Sequence, residues 1–151
     1  MPTSVQIAAA RAHDYDWCAQ LMSSSEPWIT LRRDLDGCRS ALRRPGTELF
    51  VARSQGARAG FILLAPYGMA GSPYIASFAV AAEARGHGIG SALLRFAEER
   101  FIGRAHLFLL VSSFNQFACE FYSRQGFQFI GELKDYIVAG HSELILCKRL
   151  P

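Results

Sequence analysis

No apolar stretch of the sequence approaches the ~20 residues of a membrane-spanning helix, so no membrane role is expected. The opening residues, MPTSVQIAAARAHDYD, lack the basic region and long apolar core of a secretory signal. There is no C-x-x-C pair. Cys18, Cys38, Cys119 and Cys147 lie far apart, which argues against a zinc site or a disulfide framework. Such thiols fit a reducing, cytoplasmic setting, and no metal is expected. No strong charge of one sign is present either: 16 Lys and Arg face 13 Asp and Glu. The densest basic pairs, Arg32-Arg33 and Arg43-Arg44, read as solvated helix faces, so no nucleic-acid partner is expected. Repeats, low-complexity tracts and composition breaks are absent as well. A single domain over residues 1–151 is expected, and with half its residues hydrophobic it can bury a core of its own.

The hydrophobic pattern orders the elements. SVQIAAA (4–10) alternates as a strand, and HDYDWCAQLMSS (13–24) has helical spacing with Asp14 as its expected cap. Pro27 disfavours helix at Glu26, and LRRDLDGCRSALRR (31–44) resumes a helical period before Pro45-Gly46. ELFVARS (48–54) and AGFILLAPY (59–67) read as a hairpin, GMAGSP (68–73) as a loop, and YIASFAV (74–80) as a third strand of this group. A helix then runs to about Ile102 and stops at Gly103. HLFLLV (106–111) is continuously apolar and is expected to be buried on both faces. NQFACEFYSRQ (115–125) is helical, capped by Asn115 and ended by Gly126. FQFIGELKDYIV (127–138) and SELILCKRL (142–150) form a closing hairpin around Ala139-Gly140. The order β-α-α-β-β-β-α-β-α-β-β implies an α+β protein. Its strand–helix–strand unit over 74–111 requires one right-handed parallel crossover in a mostly antiparallel sheet.

The stretch RGHGIGSALLRF (85–96) concentrates three glycines at the mouth of a helix. Glycine there lets a ligand come close to the backbone. A helix N-terminus carries unpaired N–H groups and about half a positive charge, so a diphosphate is the natural guest. Gly86, Gly88 and Gly90 give access, residues 86 to 91 give the amides, Arg85 adds a charge and Ser91 a hydroxyl. The lysine of a P-loop is missing. A dinucleotide fold is excluded by the position past mid-chain and by the G-x-G-x-G spacing. The bland alternative is a tight turn without a ligand.

FAVAAEARGHGIGSALLRFAEE resembles the acetyl-CoA-binding motif of the GNAT N-acetyltransferase family, whose Gln/Arg-x-x-Gly-x-Gly/Ala signature is met by Arg85, Gly88 and Gly90. NQFACEFYSRQGF is similar to the second motif of that family, Asn-x-x-Ala-x-x-Phe-Tyr-x-x-x-Gly-Phe. The resemblance extends along nearly the whole chain. It implies the acyl-CoA N-acyltransferase fold: about seven strands, mostly antiparallel, four helices, and a splayed parallel pair made by the strands at 74–80 and 106–111.

The same resemblance implies acetyl-CoA as cosubstrate and a small-molecule or peptide amine as acceptor, attacked directly without a covalent enzyme intermediate. The pantetheine arm would pair with the strand edge Phe78, Ala79 and Val80. The diphosphate would meet Arg85, Gly86, His87, Gly88, Ile89, Gly90 and Ser91. The backbone N–H of Phe78 would polarise the thioester carbonyl and stabilise its oxyanion, while the Phe78 side chain reads as core. Asn115, Ala118, Cys119 and Tyr122 share a helix face; Asn115 and Ala118 would border the arm and Tyr122 would face the departing sulfur. A phenol has pKa about 10 and a thiol about 8.5, so full proton transfer is uphill by about 2 kcal/mol. Tyr122 is therefore best described as a hydrogen-bond donor to the developing thiolate. The strand YIASFAV carries no carboxylate, where many members of the family place a glutamate. Glu26 is then the candidate base, Ser77 could hold a water, and His141 and Glu143 are weaker candidates. Trp28 and Tyr136 are candidates for an aromatic wall around the acceptor, with core or partner packing as the alternative. Two other functions remain open: a non-catalytic acyl-CoA-binding or sensing module, and a structural subunit. A homodimer through the last strands, common in the family, is also open.

Overall fold

Strand alternation sorts the apolar residues onto two faces. In the computed structural model, which describes residues 4–151, β1 (Val5–Ala9), β2 (Glu48–Ser54), β3 (Ala57–Met69), β4 (Ser72–Val80), β5 (His106–Ser112), β6 (Gln128–Leu133) and β7 (Glu143–Arg149) form one sheet. Residues 1–3 of the expected domain lie outside the described residues. Along β2, Leu49 and Val51 join one core cluster while Phe50 and Ala52 join the other; along β3, Phe61 and Leu63 oppose Ile62 and Leu64 in the same way. The helices α1 (Ala12–Ser23) and α2 (Leu35–Leu42) cover the first face with Cys18, Met22, Cys38 and Leu42. The other face is covered by α3 (Ile89–Arg100) and α4 (Gln116–Arg124). On α3, Ile89, Leu93, Leu94 and Ala97 recur at helical spacing and are buried. Each large side chain among them contributes about 1.5–3 kcal/mol of burial, so truncating Leu93 would cost about 2–5 kcal/mol.

The strand order is β1-β2-β3-β4-β5-β7-β6, antiparallel except for β4 against β5. This parallel pair is held only at Tyr74↔Phe108 and Ile75↔Leu109. The β3–β4 register shifts there, with Leu64 opposite Ile75 and Leu63 opposite Ser77, so Ala76 is an unpaired bulge. A bulge bends its strand and increases its twist. Beyond Ala76, β4 keeps its bond to β3 and leaves β5, so the sheet opens into a V.

Four local expectations are corrected. GMAGSP is not a loop: β3 runs to Met69 and β4 starts at Ser72, joined through Ala70 and Gly71, both at positive φ as in a two-residue type I′ turn. The cap of α1 is Arg11, not Asp14. Asp14 is buried inside the first turn, where its carboxylate accepts from the Arg11 N–H (2.9 Å), Arg53 (2.6 Å) and Arg58 (2.8 Å). Burial alone would raise its pKa; these donors and charges outweigh that and lower it. The second helix begins at Leu35 rather than near Leu31, because Asp34 accepts from the Gly37 N–H at 2.8 Å and so sets the start. Finally, β5 is fully buried on one face only. Leu107, Leu109 and Val111 are in the core, whereas Phe108 and Leu110, on the opposite face of the strand, are half-buried and belong to neither core cluster.

Candidate active site

The N-terminus of α3 forms one wall of the V. Gly86 (φ 79°) and Gly88 (φ 80°) hold left-handed conformations, and a Cβ on either would meet nothing within 4 Å. They are needed for the turn itself, and they leave open space on its outer side. Gly90 is different: a Cβ there would lie 3.1 Å from Phe121 Cζ and 3.4 Å from Phe78 Cζ. It lets the helix close onto two aromatic rings and is not an access point. The first helical bond runs from Ala92 N–H to Gly88 O. Among the described residues, none of the backbone N–H groups of residues 86–91 donates to an acceptor of the chain. Six donors at the entrance to the helix are thus left without a partner among the described residues. Ser91 Oγ stands beside them, accepting from Gln125 Nε2 at 3.1 Å. The Arg85 guanidinium is exposed, with a long 3.4 Å bond to Val80 O.

The second wall is α4. Asn115 caps it by accepting from the Ala118 N–H at 3.3 Å. Tyr122 is buried, its ring packed 5.7 Å from Phe127 and 6.0 Å from Phe78. Burial pushes its phenol well above the ordinary value, so it is a protonated donor throughout the usual pH range. Its hydroxyl bonds to no group among the described residues, yet no buried side-chain oxygen is left unpartnered, so the hydroxyl is open to the cleft. Phe78 also stacks on Phe121 at 6.0 Å, which makes its side chain part of the core.

The two walls and the β4 edge enclose a cleft of about 1370 Å³. Phe78, Ala79, Val80, Arg85, Gly86, Gly88, Ile89, Gly90 and Ser91 border it on one side, and Asn115, Ala118 and Tyr122 on the other. His87 does not: its ring turns back to Ala84 O, 3.2 Å from Nδ1. The far end of the cleft is built by distant segments, with Glu26 and Trp28 in the α1–α2 connection and Tyr136 after β6 among them. Trp28 is a core residue with one edge on the cleft, while Tyr136 is exposed. Both Glu26 carboxylate oxygens are engaged by Thr30, at 2.9 Å from its N–H and 2.7 Å from its hydroxyl. Ser77 is buried on β4 and also borders the space. His141 packs edge-on against Phe114 at 4.7 Å. Tyr74 and Arg33 line the acceptor end too, although no local pattern in their strand or turn marked them.

An open strand edge, a helix N-terminus with unpaired amides and a buried phenol thus lie together at the fork of the V. The model of the Acetyltransferase (GNAT) family matches residues 9–127, and the chain belongs to that family. It is an acetyl-CoA-dependent N-acetyltransferase. Among solved structures it is similar to a nourseothricin acetyltransferase (33% identity, 71% of this chain and 67% of that one, TM-score 0.64). It also shares its fold with a GNAT-family protein from Desulfovibrio desulfuricans (21% identity, 98% and 100% covered, TM-score 0.81). An aminoglycoside 6′-N-acetyltransferase complexed with coenzyme A has the same fold (17% identity, 97% and 98% covered, TM-score 0.77). No curated protein sequence matches it significantly. Among the described residues no cluster of metal-ligating side chains occurs, and no helix is long and apolar enough to cross a membrane.

Proposed function

We propose that the chain works as one domain that moves the acetyl group of acetyl-CoA to a primary amine of a small molecule or peptide by direct attack. The observation that carries this reading is the set of six backbone N–H groups, residues 86–91, without acceptors in the chain. They suit the diphosphate of coenzyme A, with Arg85 and Ser91 adding a charge and a hydroxyl. The β4 edge from Phe78 to Val80 hydrogen-bonds the pantetheine arm, and Asn115 and Ala118 border its other side. The Phe78 N–H polarises the thioester carbonyl and stabilises the oxyanion. Tyr122 donates a hydrogen bond to the sulfur as it leaves. Because burial raises the phenol pKa, this donor becomes weaker as an acid, and full proton transfer is not required of it.

Trp28 and Tyr136 form part of the acceptor wall. Glu26 stands at the same end, but the two bonds from Thr30 reduce its availability as a base. The four free thiols fit a reducing, cytoplasmic setting. Calorimetry with coenzyme A tests the diphosphate site. Incubation of acetyl-CoA with spermidine, kanamycin, N-α-acetyllysine amide and an alanyl tetrapeptide, followed by thiol release, tests transfer. Binding of coenzyme A with thiol release on at least one amine is the expected result. Binding without release on any amine would favour a non-catalytic sensing module.

A further inference from the structure

The mechanism above lacks a proton acceptor. An amine of lysine type is neutral in only about one molecule in 2500 at pH 7, and an α-amine in about one in seven. A group in the cleft must take that proton. No acid is present on β4, and Glu26 is occupied by Thr30.

Glu143 opens β7 beside the fork of the V. It is 4% exposed. Its Oε2 accepts from Ser112 Oγ at 2.8 Å, and Ser112 is the residue opposite it on β5. No cation among the described residues is bonded to it, unlike the other buried carboxylate, Asp14, which has two arginines. Its second oxygen, Oε1, has no partner there either. Since no buried side-chain oxygen among the described residues lacks a partner, Oε1 keeps some access, and Glu143 is one of the residues that line the cleft. A buried carboxylate with one oxygen fixed and one free is oriented for a ligand, and with no arginine or lysine bonded to it among the described residues it favours a cationic one.

We propose that Glu143 is the base of the reaction: Oε1 receives the ammonium of the acceptor and takes one of its protons. This rests on the acetyltransferase reading. The nitrogen lone pair then forms the C–N bond to the carbonyl carbon as the C–S bond breaks. The second nitrogen proton ends on the sulfur, and the proton on Glu143 leaves to solvent. Around Glu143 lie Ser112 on β5, Tyr74 on β4, Cys119 on α4 and His141 just before β7. Burial raises the Glu143 pKa, while the Ser112 bond and the His141 charge oppose that. The carboxylate is thereby a stronger base than an exposed glutamate. Tyr74, pushed up to about 12 by burial, stays neutral and does not compete for the proton.

The test uses the panel amine with the highest turnover. Glu143→Gln is expected to lower kcat/KM at pH 7 by about 10²–10⁴-fold, with coenzyme A affinity by calorimetry unchanged within about threefold. At pH 9.5, where more of the amine is already neutral, the deficit is expected to shrink at least tenfold. An equal deficit at both pH values, or none at either, would overturn the assignment. Ser112→Ala checks the same point in a variant that keeps the carboxylate. Losing the bond that favours the charged form raises the Glu143 pKa, so the acid limb of kcat/KM moves to higher pH. An acid limb that stays in place or moves down would also count against Glu143. Failure of the wild-type protein to bind coenzyme A or to acetylate any panel amine would instead sink the acetyltransferase reading itself.

Discussion

The two ends of the cleft are built from different materials. The end at α3 is backbone: six amides, two left-handed glycines and a helix dipole within residues 85–91. The end at the α1–α2 connection is side chains from β4, β5, β7 and two connections, with Glu143, Tyr74, Trp28 and Tyr136 drawn from positions more than one hundred residues apart. A backbone site recognises a group common to every coenzyme A molecule and needs only short-range sequence. A side-chain site recognises one acceptor, and tertiary packing alone brings its parts together. In the proposed reaction the chemistry takes place where the two ends meet, at Tyr122 and the β4 bulge.

The comparison can be broken in order of expected effect. Gly88→Val places a β-branched residue at φ 80°, over the amides. It is expected to reduce coenzyme A affinity by more than about 100-fold in calorimetry, since side chains are strongly disfavoured in that conformation. Unchanged affinity would mean that the backbone end does not hold the diphosphate. Tyr122→Phe, at the junction, keeps the ring packing and deletes only the unpartnered hydroxyl. A fall in kcat of about 10–100-fold with little change in coenzyme A binding is expected, and equal turnover would remove its part in the reaction. Gly90→Ala tests the division among the glycines. Its new methyl would lie 3.1 Å from Phe121 Cζ, so that ring must give by a few tenths of an ångström; a change of no more than about 1 kcal/mol in stability is expected, with coenzyme A affinity kept within about threefold. Tyr136→Ala acts only at the side-chain end. A rise of about two- to fivefold in the KM for the amine is expected, with the KM for acetyl-CoA unchanged; a shift in both would show that the ends are not separable.

Where pattern reading failed, a distant partner had overridden a local preference. Asp14 has the residue type and position of a helix cap, yet Arg53 and Arg58, about forty residues on, draw it into the first turn as a buried counter-ion. GMAGSP is rich in loop formers, but β3 and β4 pair up to Met69↔Ser72 and leave only two residues for the turn. HLFLLV reads as doubly buried, but Phe108 and Leu110 belong to neither core cluster, so one of its faces stays half-covered. Position in the sequence puts Glu26 ahead of Glu143 as the candidate base; what sets them apart in the fold is Thr30 on one and burial with a single bond from Ser112 on the other, and neither feature shows among their sequence neighbours.

Local sequence determined the element order, the hairpins and the amide cradle, because alternation, capping and left-handed glycines act over a handful of residues. Tertiary structure alone decided that the sheet splits after Ile75, and that among the described residues the Tyr122 hydroxyl and one oxygen of the buried Glu143 are left without partners beside the split. Those outcomes depend on which groups are desolvated and which are paired across the fold, and neither property belongs to a residue until its distant neighbours are in place.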